Sequence, residues 1–326
     1  MTGQERPPLR CLSRLQTVLI GSSLKEGSDA LVRTGAAVAR AAGAKVYLVH
    51  VVPLEPMALA LEAGWSESTV FQKEVDLHAA QLRDQAQRLG LHRDELAGLG
   101  VAIGPPHRVI LDTARQIGAD LIVVGAREAG ALGKLLGSTA DRVVRKAVCP
   151  VLVVRGELPV PPRRVLLPVD LSELSADAFR CGLHFLGRIG APAEIEALYA
   201  LDRDLPHEVT FEQGKRHAAW ELEQVVAQYT EEAPAPVRTE VRQGEARAEI
   251  LAEIERQETD LVILGTHGRS GFDRLLLGSI ASGVLREAPC SVLTIPPAAS
   301  LDEAIAEAVL EQTHPARHVE SEAVEV

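Results

Sequence analysis

The sequence predicts an α/β fold built twice: two tandem open domains, each a five-stranded parallel sheet with helices on both faces. Three observations point there. Short runs that are apolar throughout, such as Leu121–Val124 and Leu261–Leu264, alternate with longer segments of helical pattern, and strands apolar on both sides belong to parallel sheets covered on both faces. The sequence also repeats itself. Asp120-L-I-V-V-Gly125 returns as Asp260-L-V-I-L-Gly265 after 140 residues, and Gly137-Ser138 and Cys149-P-V-L-V-V return as Gly278-Ser279 and Cys290-S-V-L-T-I after 141. Thr17-V-L-I-G returns as Arg164-V-L-L-P after 147. A period this long marks a duplicated domain rather than a solenoid. Finally, a length of 326 residues favours two domains, and a hydrophobic content of 46% suffices for packed cores.

The elements follow in order. In the first copy Val18–Ile20 reads as a short strand and Asp29–Ala42 as an Ala-rich helix stopped by Gly43, a C-cap residue. Val46–Val52 is a strand, Trp65–Gly90 a helix, and Val101–Ile103 a strand ending at Gly104-Pro105-Pro106. Then come helix Val109–Ile117, strand Leu121–Val124, helix Ser138–Lys146 and strand Val151–Val154. The second copy repeats the series at Val165–Val169, Ala176–Gly190, Ile195–Leu201, Val209–Thr230, Val237–Arg242, Arg247–Gln257, Leu261–Leu264, Ser279–Glu287 and Ser291–Ile295. The crossovers are expected to be right-handed.

These elements divide the chain into a polar leader (1–15), a first domain (16–156), a stiff linker (157–162) with Pro159, Pro161 and Pro162, a second domain (163–298) and an acidic tail (299–326). Leu301–Gln312 reads as one helix within the tail. The leader lacks the apolar core of a secretory signal, and no run reaches the roughly 18 apolar residues of a membrane span. A net charge of −11 with no basic face disfavours nucleic acid and anionic membranes, and 3% aromatics is too little for base stacking. Cys11, Cys149, Cys181 and Cys290 lie in or near apolar runs without zinc-site spacing, so they read as reduced thiols in a cytoplasmic protein.

The second copy carries the chemistry. After strand Leu261–Leu264 come Gly265, Gly268, Gly271 and Gly278, then Ser279 opening a helix. Glycines let main-chain amides approach a ligand. A helix N-terminus adds unpaired N–H donors and partial positive charge, which together suit phosphate. The spacing is neither a P-loop nor a G-x-G-x-x-G turn.

Gly265-x2-Gly268-x9-Gly278-Ser279, flanked by D-L-V-I-L-G and C-S-V-L-T-I, resembles the ATP-binding signature of universal stress proteins. The resemblance implies a Rossmann-like fold of the adenine nucleotide alpha hydrolase kind, with ATP beyond the carboxyl ends of the first and fourth strands, where the winding reverses. Val169-Asp170-Leu171-Ser172 resembles the family's V-D-x-S turn. The implied nucleotide residues are Pro168, Val169, Asp170, Ala200, Gly265, Thr266, His267, Gly268, Arg269, Gly278, Ser279 and Ile280. Gly265 and Gly268 are expected to pass beneath ribose and phosphates, Gly278 and Ser279 to donate to phosphates, Arg269 to add charge, and Ala200 to lie near adenine. Asp170 is the candidate for bonding adenosine or holding Mg²⁺; it also suits a structural role as a cap near Ser172. His267 reads as a loop residue rather than a base.

The first copy departs from this pattern. Ser23 stands where the second copy has Asp170, Glu128 where it has Gly268, and the loop is one residue shorter. A carboxylate at about 4 Å from a phosphate charge is repelled by about 4 kcal/mol at an effective dielectric of about 20, so ATP is expected in the second domain only. Gly137-Ser138 remains, suited to a smaller anion or simply to starting a helix. The resemblance also implies that Val151–Val154 and Ser291–Ile295 pair, making the two domains a pseudo-dimer; further homodimerisation stays open.

Three functions compete. One is an ATP-binding regulator of stress response. Another is a nucleotide-free interaction module. The third is an enzyme, at most a slow ATP hydrolase, but the chain lacks an S-G-G-x-D-S loop, an H-x-G-H motif and a Ser-His-Asp set. The intact second signature favours the first.

Overall fold

The computed structural model describes residues 12, 14–25, 27–53, 67–126, 136–202, 210–268 and 277–297. The first half runs β1 (Thr17–Ser22), α1 (Ser28–Ala42), β2 (Lys45–Val52), α2 (Glu67–Arg88), β3 (Leu96–Ile103), α3 (Pro106–Gln116), β4 (Leu121–Gly125), α4 (Ser138–Lys146) and β5 (Val151–Val154). The second half repeats the order with β6 (Arg164–Pro168), α5 (Glu173–Ile189), β7 (Glu194–Leu201), α6 (Phe211–Ala227), β8 (Val237–Gln243), α7 (Ala246–Gln257), β9 (Leu261–Gly265), α8 (Ser279–Glu287) and β10 (Ser291–Ile295).

Within each half all strand pairs are parallel, and β1 lies between β2 and β4 just as β6 lies between β7 and β9. The winding therefore reverses at β1/β4 and again at β6/β9. The halves do not form two separate sheets. β5 pairs antiparallel with β10, Leu152 opposite Leu293, so the ten strands make one sheet in the order β3-β2-β1-β4-β5-β10-β9-β6-β7-β8. Each last strand has an unpaired edge that the other covers.

Two core layers cover the sheet, and each crosses both halves. One face holds Val32, Leu82, Phe179, Leu183 and Leu222 from α1, α2, α5 and α6. The other holds Ile110, Val143, Ile254 and Val284 from α3, α4, α7 and α8. The repeated Asp at the head of the signature flank has a structural cause. Asp120 Oδ2 accepts the N–H groups of Gln16 and Thr17 at 2.8 and 3.0 Å, and Asp260 Oδ2 those of Arg163 and Arg164 at 2.7 and 3.0 Å. Each clasps the start of its half's central strand.

Several boundaries differ from the expected ones. β3 begins at Leu96 rather than Val101, because the Tyr47 ring lies over Gly98 and Gly100 and supplies the packing that two glycines lack. α5 starts at Glu173 rather than Ala176, because Ser172 caps it. α6 begins at Phe211 behind a Thr210–Gln213 capping box and ends at Ala227, short of Thr230. The expected polar leader is not wholly polar in its role: Leu12 and Leu15 are buried in the core, and Leu12 N–H points at Cys181 Sγ of the second half, 3.5 Å away. The stretch expected to be a stiff linker buries Leu158. The acidic tail and its expected helix lie outside the described residues. None of Cys149, Cys181 and Cys290 is in a disulfide. Among the described residues no helix is long and apolar enough to cross a membrane.

Candidate functional site

The site is built at the carboxyl ends of β6 and β9. β6 ends at Pro168, and Val169 continues it, its N–H donating to Leu198 O at 2.8 Å. Leu171 then turns the chain at φ 64°, a conformation disfavoured for a branched side chain. The turn is held by its polar neighbours. Asp170 Oδ1 accepts from Ser172 N at 3.0 Å and from Ser172 Oγ at 2.5 Å. Asp170 N donates to Ser175 Oγ at 3.0 Å, and Ser172 Oγ accepts from Ser175 N at 3.2 Å. The helix cap is thus Ser172, and Asp170 orients the cap.

That arrangement leaves the other carboxylate oxygen facing the loop from β9. An ideal Cβ on Gly268 would lie 2.6 Å from Asp170 Oδ2, so a side chain there would push the carboxylate aside. Gly268 is therefore where the loop backbone passes directly against the Asp170 carboxylate. Gly265 has a packing role as well. Its missing Cβ would sit 3.2 Å from Ala178 Cβ, so it serves close packing of α5 on β9.

The loop is pinned at both ends. Thr266 N donates to Ile295 O at 2.9 Å, and Gly278 N donates to Thr266 O at 2.8 Å. His267 Nδ1 lies 2.9 Å from Thr266 Oγ1, so His267 is tied into the loop base. α8 follows, with Ser282 N the first amide to find a helical acceptor, Gly278 O, at 2.8 Å. The amides of Ser279, Ile280 and Ala281 thus form the open N-terminal turn. Ser279 is exposed, and Ile280 is 39% exposed, high for a large apolar side chain.

Beside this mouth lies a small, shallow cleft lined in part by Asp177, Ala178, Thr266, His267 and Pro296. Of the expected residues, Pro168, Val169, Asp170, Gly265, Thr266, His267, Gly268 and Gly278–Ile280 stand around the ends of β6 and β9 and the head of α8. Ala200 is one strand over, near the end of β7 and opposite Arg242 of β8. Arg269 lies outside the described residues. The expected set omitted Ser172 and Ser175, whose signal was the serine spacing after Asp170, and Asp177, which lines the cleft but belongs to no motif.

Titration behaviour is most altered away from this mouth. Burial and the neighbouring Glu253 push the Glu196 carboxyl up to about 7. Burial opposes ionisation of Glu253 too, but hydrogen bonds from Arg256 and Gln257 and the nearby Arg242 outweigh it and hold Glu253 at about 2. Burial pushes the Cys149 and Cys290 thiols up to about 12, which leaves them poor nucleophiles. Among the described residues no group of three or more His, Cys, Asp or Glu gathers as a cation site.

Fold and site together define a class: a tandem pair of open α/β domains with a glycine loop and helix head at the switch point. The sequence profile of the universal stress protein family matches residues 14–155 and 162–296, and the chain belongs to that family. A universal stress protein of Mycolicibacterium smegmatis is 30% identical over 295 residues, covering 86% of this chain and 97% of that protein. The universal stress protein Rv2005c of Mycobacterium tuberculosis is 28% identical over 297 residues, covering 85% and 95%. Among solved structures, a functionally unknown protein of Pseudomonas aeruginosa superposes with a TM-score of 0.66 at 19% identity, covering 92% of this chain and 99% of that one. It is a likeness of fold.

Proposed function

We propose that this is an ATP-binding universal stress protein with a regulatory role in stress response, taking one nucleotide per chain in its second half. The observation that carries the reading is Asp170 Oδ2 against Gly268, so close that a Cβ there would displace the carboxylate. The open turn of α8 suits phosphate, and a carboxylate held against bare loop backbone suits the cation that accompanies it. In this reading the amides of Ser279, Ile280 and Ala281, with Ser279 Oγ, receive the phosphates, and Val169 and Ala200 lie towards adenosine. Asp170 fits Mg²⁺, which characteristically takes one or two carboxylates together with phosphate oxygens. Magnesium would neutralise phosphate charge beside that carboxylate. Arg269 adds positive charge from the loop. The cytoplasm is the proposed location, on the strength of the family alone.

The β5–β10 pairing supports the two halves acting as a pseudo-dimer within one chain. Sedimentation should then find the 34.9 kDa chain intact as one unit, with homodimers requiring a different surface. The decisive experiment is calorimetric titration with Mg-ATP, together with identification of any nucleotide released on denaturing the purified protein. A stoichiometry near one supports the reading. Two equivalent sites, or no heat and no nucleotide, would overturn it.

A further inference from the structure

The half that lacks the Asp and Gly of the signature holds the helix that the other half's site depends on. α8 has nine residues, too few to be stable alone, so its placement depends on what clamps it. Its last carbonyls have no partner within the helix and carry partial negative charge. The guanidinium of Arg155, at the end of β5 in the first half, supplies both needs. Arg155 Nη2 donates to Leu285 O at 2.6 Å and to Arg286 O at 3.2 Å. Its backbone N–H donates to the buried Ser291 Oγ at 3.1 Å, fixing Arg155 against the start of β10. Two further links bind the flank of α8 to α4: Arg145 Nη2 to Ser282 Oγ at 3.4 Å, and Arg286 Nη2 to Asp141 Oδ1 at 3.9 Å.

The flank links are mates at the repeat offset of 141 and run both ways, but the Arg155 clamp works in one direction only. At the repeat offset of 141, Arg155 corresponds to Pro296 and Ser291 to Pro150. Pro296 has neither an N–H nor a side-chain donor, and Pro150 offers no side-chain acceptor. The second half therefore cannot return the clamp to α4. The helix that receives it is the one standing beside Asp170 and Gly268.

We propose that Arg155 is a positioning residue for the nucleotide site of the second half: it sets α8 from its carboxyl end so that the amides of Ser279–Ala281 stand where phosphate binds. The proposal rests on the nucleotide reading given above. By linkage, Mg-ATP bound at the head of α8 must in turn tighten the junction between the halves.

The test uses the full chain with R155M, which keeps an apolar stem and removes the donors, and R155K, which restores charge without the fork. Two signals are read: Mg-ATP affinity by calorimetry, and hydrogen exchange of the α8 amides without nucleotide. R155M should weaken Mg-ATP about fivefold or more, in the range of ordinary coupling energies, and speed exchange in α8. R155K should recover part of both. Wild-type affinity in R155M overturns the proposal, as does unchanged exchange in α8. If R155M does not fold, S291A removes the acceptor that fixes the Arg155 backbone against β10 and should shift both signals the same way by less; no shift in either overturns the proposal. A wild-type chain that binds no ATP sinks the site reading and the positioning role with it, and is told apart because it fails before any substitution.

Discussion

At the carboxyl end of β1, Leu24 sits at φ 59°; at the carboxyl end of β6, Leu171 sits at φ 64°. Both halves keep this costly turn. Lys25 N donates to Ser23 Oγ at 3.5 Å where Ser172 N donates to Asp170 Oδ1 at 3.0 Å. Both also close the loop base alike, Gly137 N on Ala126 O at 2.6 Å and Gly278 N on Thr266 O at 2.8 Å. The backbone of the mouth is thus shared, and the chemistry is not. Ser23 can orient a turn, but it brings no carboxylate. In the first half the space behind the turn is tied up by a polar network: Ser22 Oγ donates to Gln85 Oε1 at 2.7 Å, and Gln85 Nε2 donates to Ser28 Oγ and Asp29 Oδ1 at 3.0 and 2.8 Å. Asp29 is paired in turn with Arg88. α1 has no side-chain cap, whereas α5 has Ser172. Duplication preserved the scaffold of the mouth while the polar groups around it diverged.

The sharpest way to break this comparison is to give the second half the first half's residue. Gly268→Glu brings a Cβ that must displace the Asp170 carboxylate, and a charge beside the phosphates. A repulsion of about 4 kcal/mol at about 4 Å is an upper bound for a solvated loop, so Mg-ATP affinity should fall about a hundredfold. Unchanged affinity in calorimetry would remove Gly268 from the site. Next in size is Gln85→Leu, which touches the first half only. It strands Ser22 and Asp29 partners in a buried setting and should cost about 2 kcal/mol in urea unfolding, with ATP binding in the second half unaltered. A matching loss of ATP affinity would mean that the halves are less distinct than the geometry indicates.

Asp170→Asn keeps an oxygen for Ser172 but removes the charge, so the turn should survive while Mg-ATP affinity drops about tenfold, the scale of one charge-assisted contact. Loss of helical signal together with affinity would show Asp170 to be structural instead. The smallest expected effect concerns Glu196, which pairs across β7 with Arg238 of β8, where Tyr47 in the first half pairs with Gly98. The Glu196 carboxyl is pushed up to about 7 by burial and by Glu253. The folded state therefore binds a proton that the unfolded state releases at about its ordinary value, and stability falls as pH rises between those two values. Glu196→Gln removes that slope, so the variant should be more stable than wild type at pH 8 by about 1 kcal/mol and no more stable at pH 4. Parallel pH profiles for the two chains in denaturant titrations would refute this.

Much of this protein was legible in its residues because a duplicated pattern prints itself twice. The apolar runs of β4 and β9 and the spacing to Gly137 and Gly278 are local periodicity plus repetition, while the switch between first and fourth strands was implied by the family resemblance. Gly268 and Asp170 were legible by type, through a spacing that resembles a known signature. β3 was not read at full length, because Gly98 and Gly100 look like loop until Tyr47 covers them. Nor could Leu12, followed by Ser13 and Arg14, announce its burial near Cys181. The pairing of β5 with β10 was implied by the resemblance, whereas tertiary structure alone decided that Gly265 packs against α5 and that Arg155 reaches the end of α8. Local sequence carries the period and the turn chemistry of an element. Which distant carbonyl an arginine caps, or which side chain fills the place of a missing Cβ, depends on neighbours more than a hundred residues away, and only the folded chain brings them together.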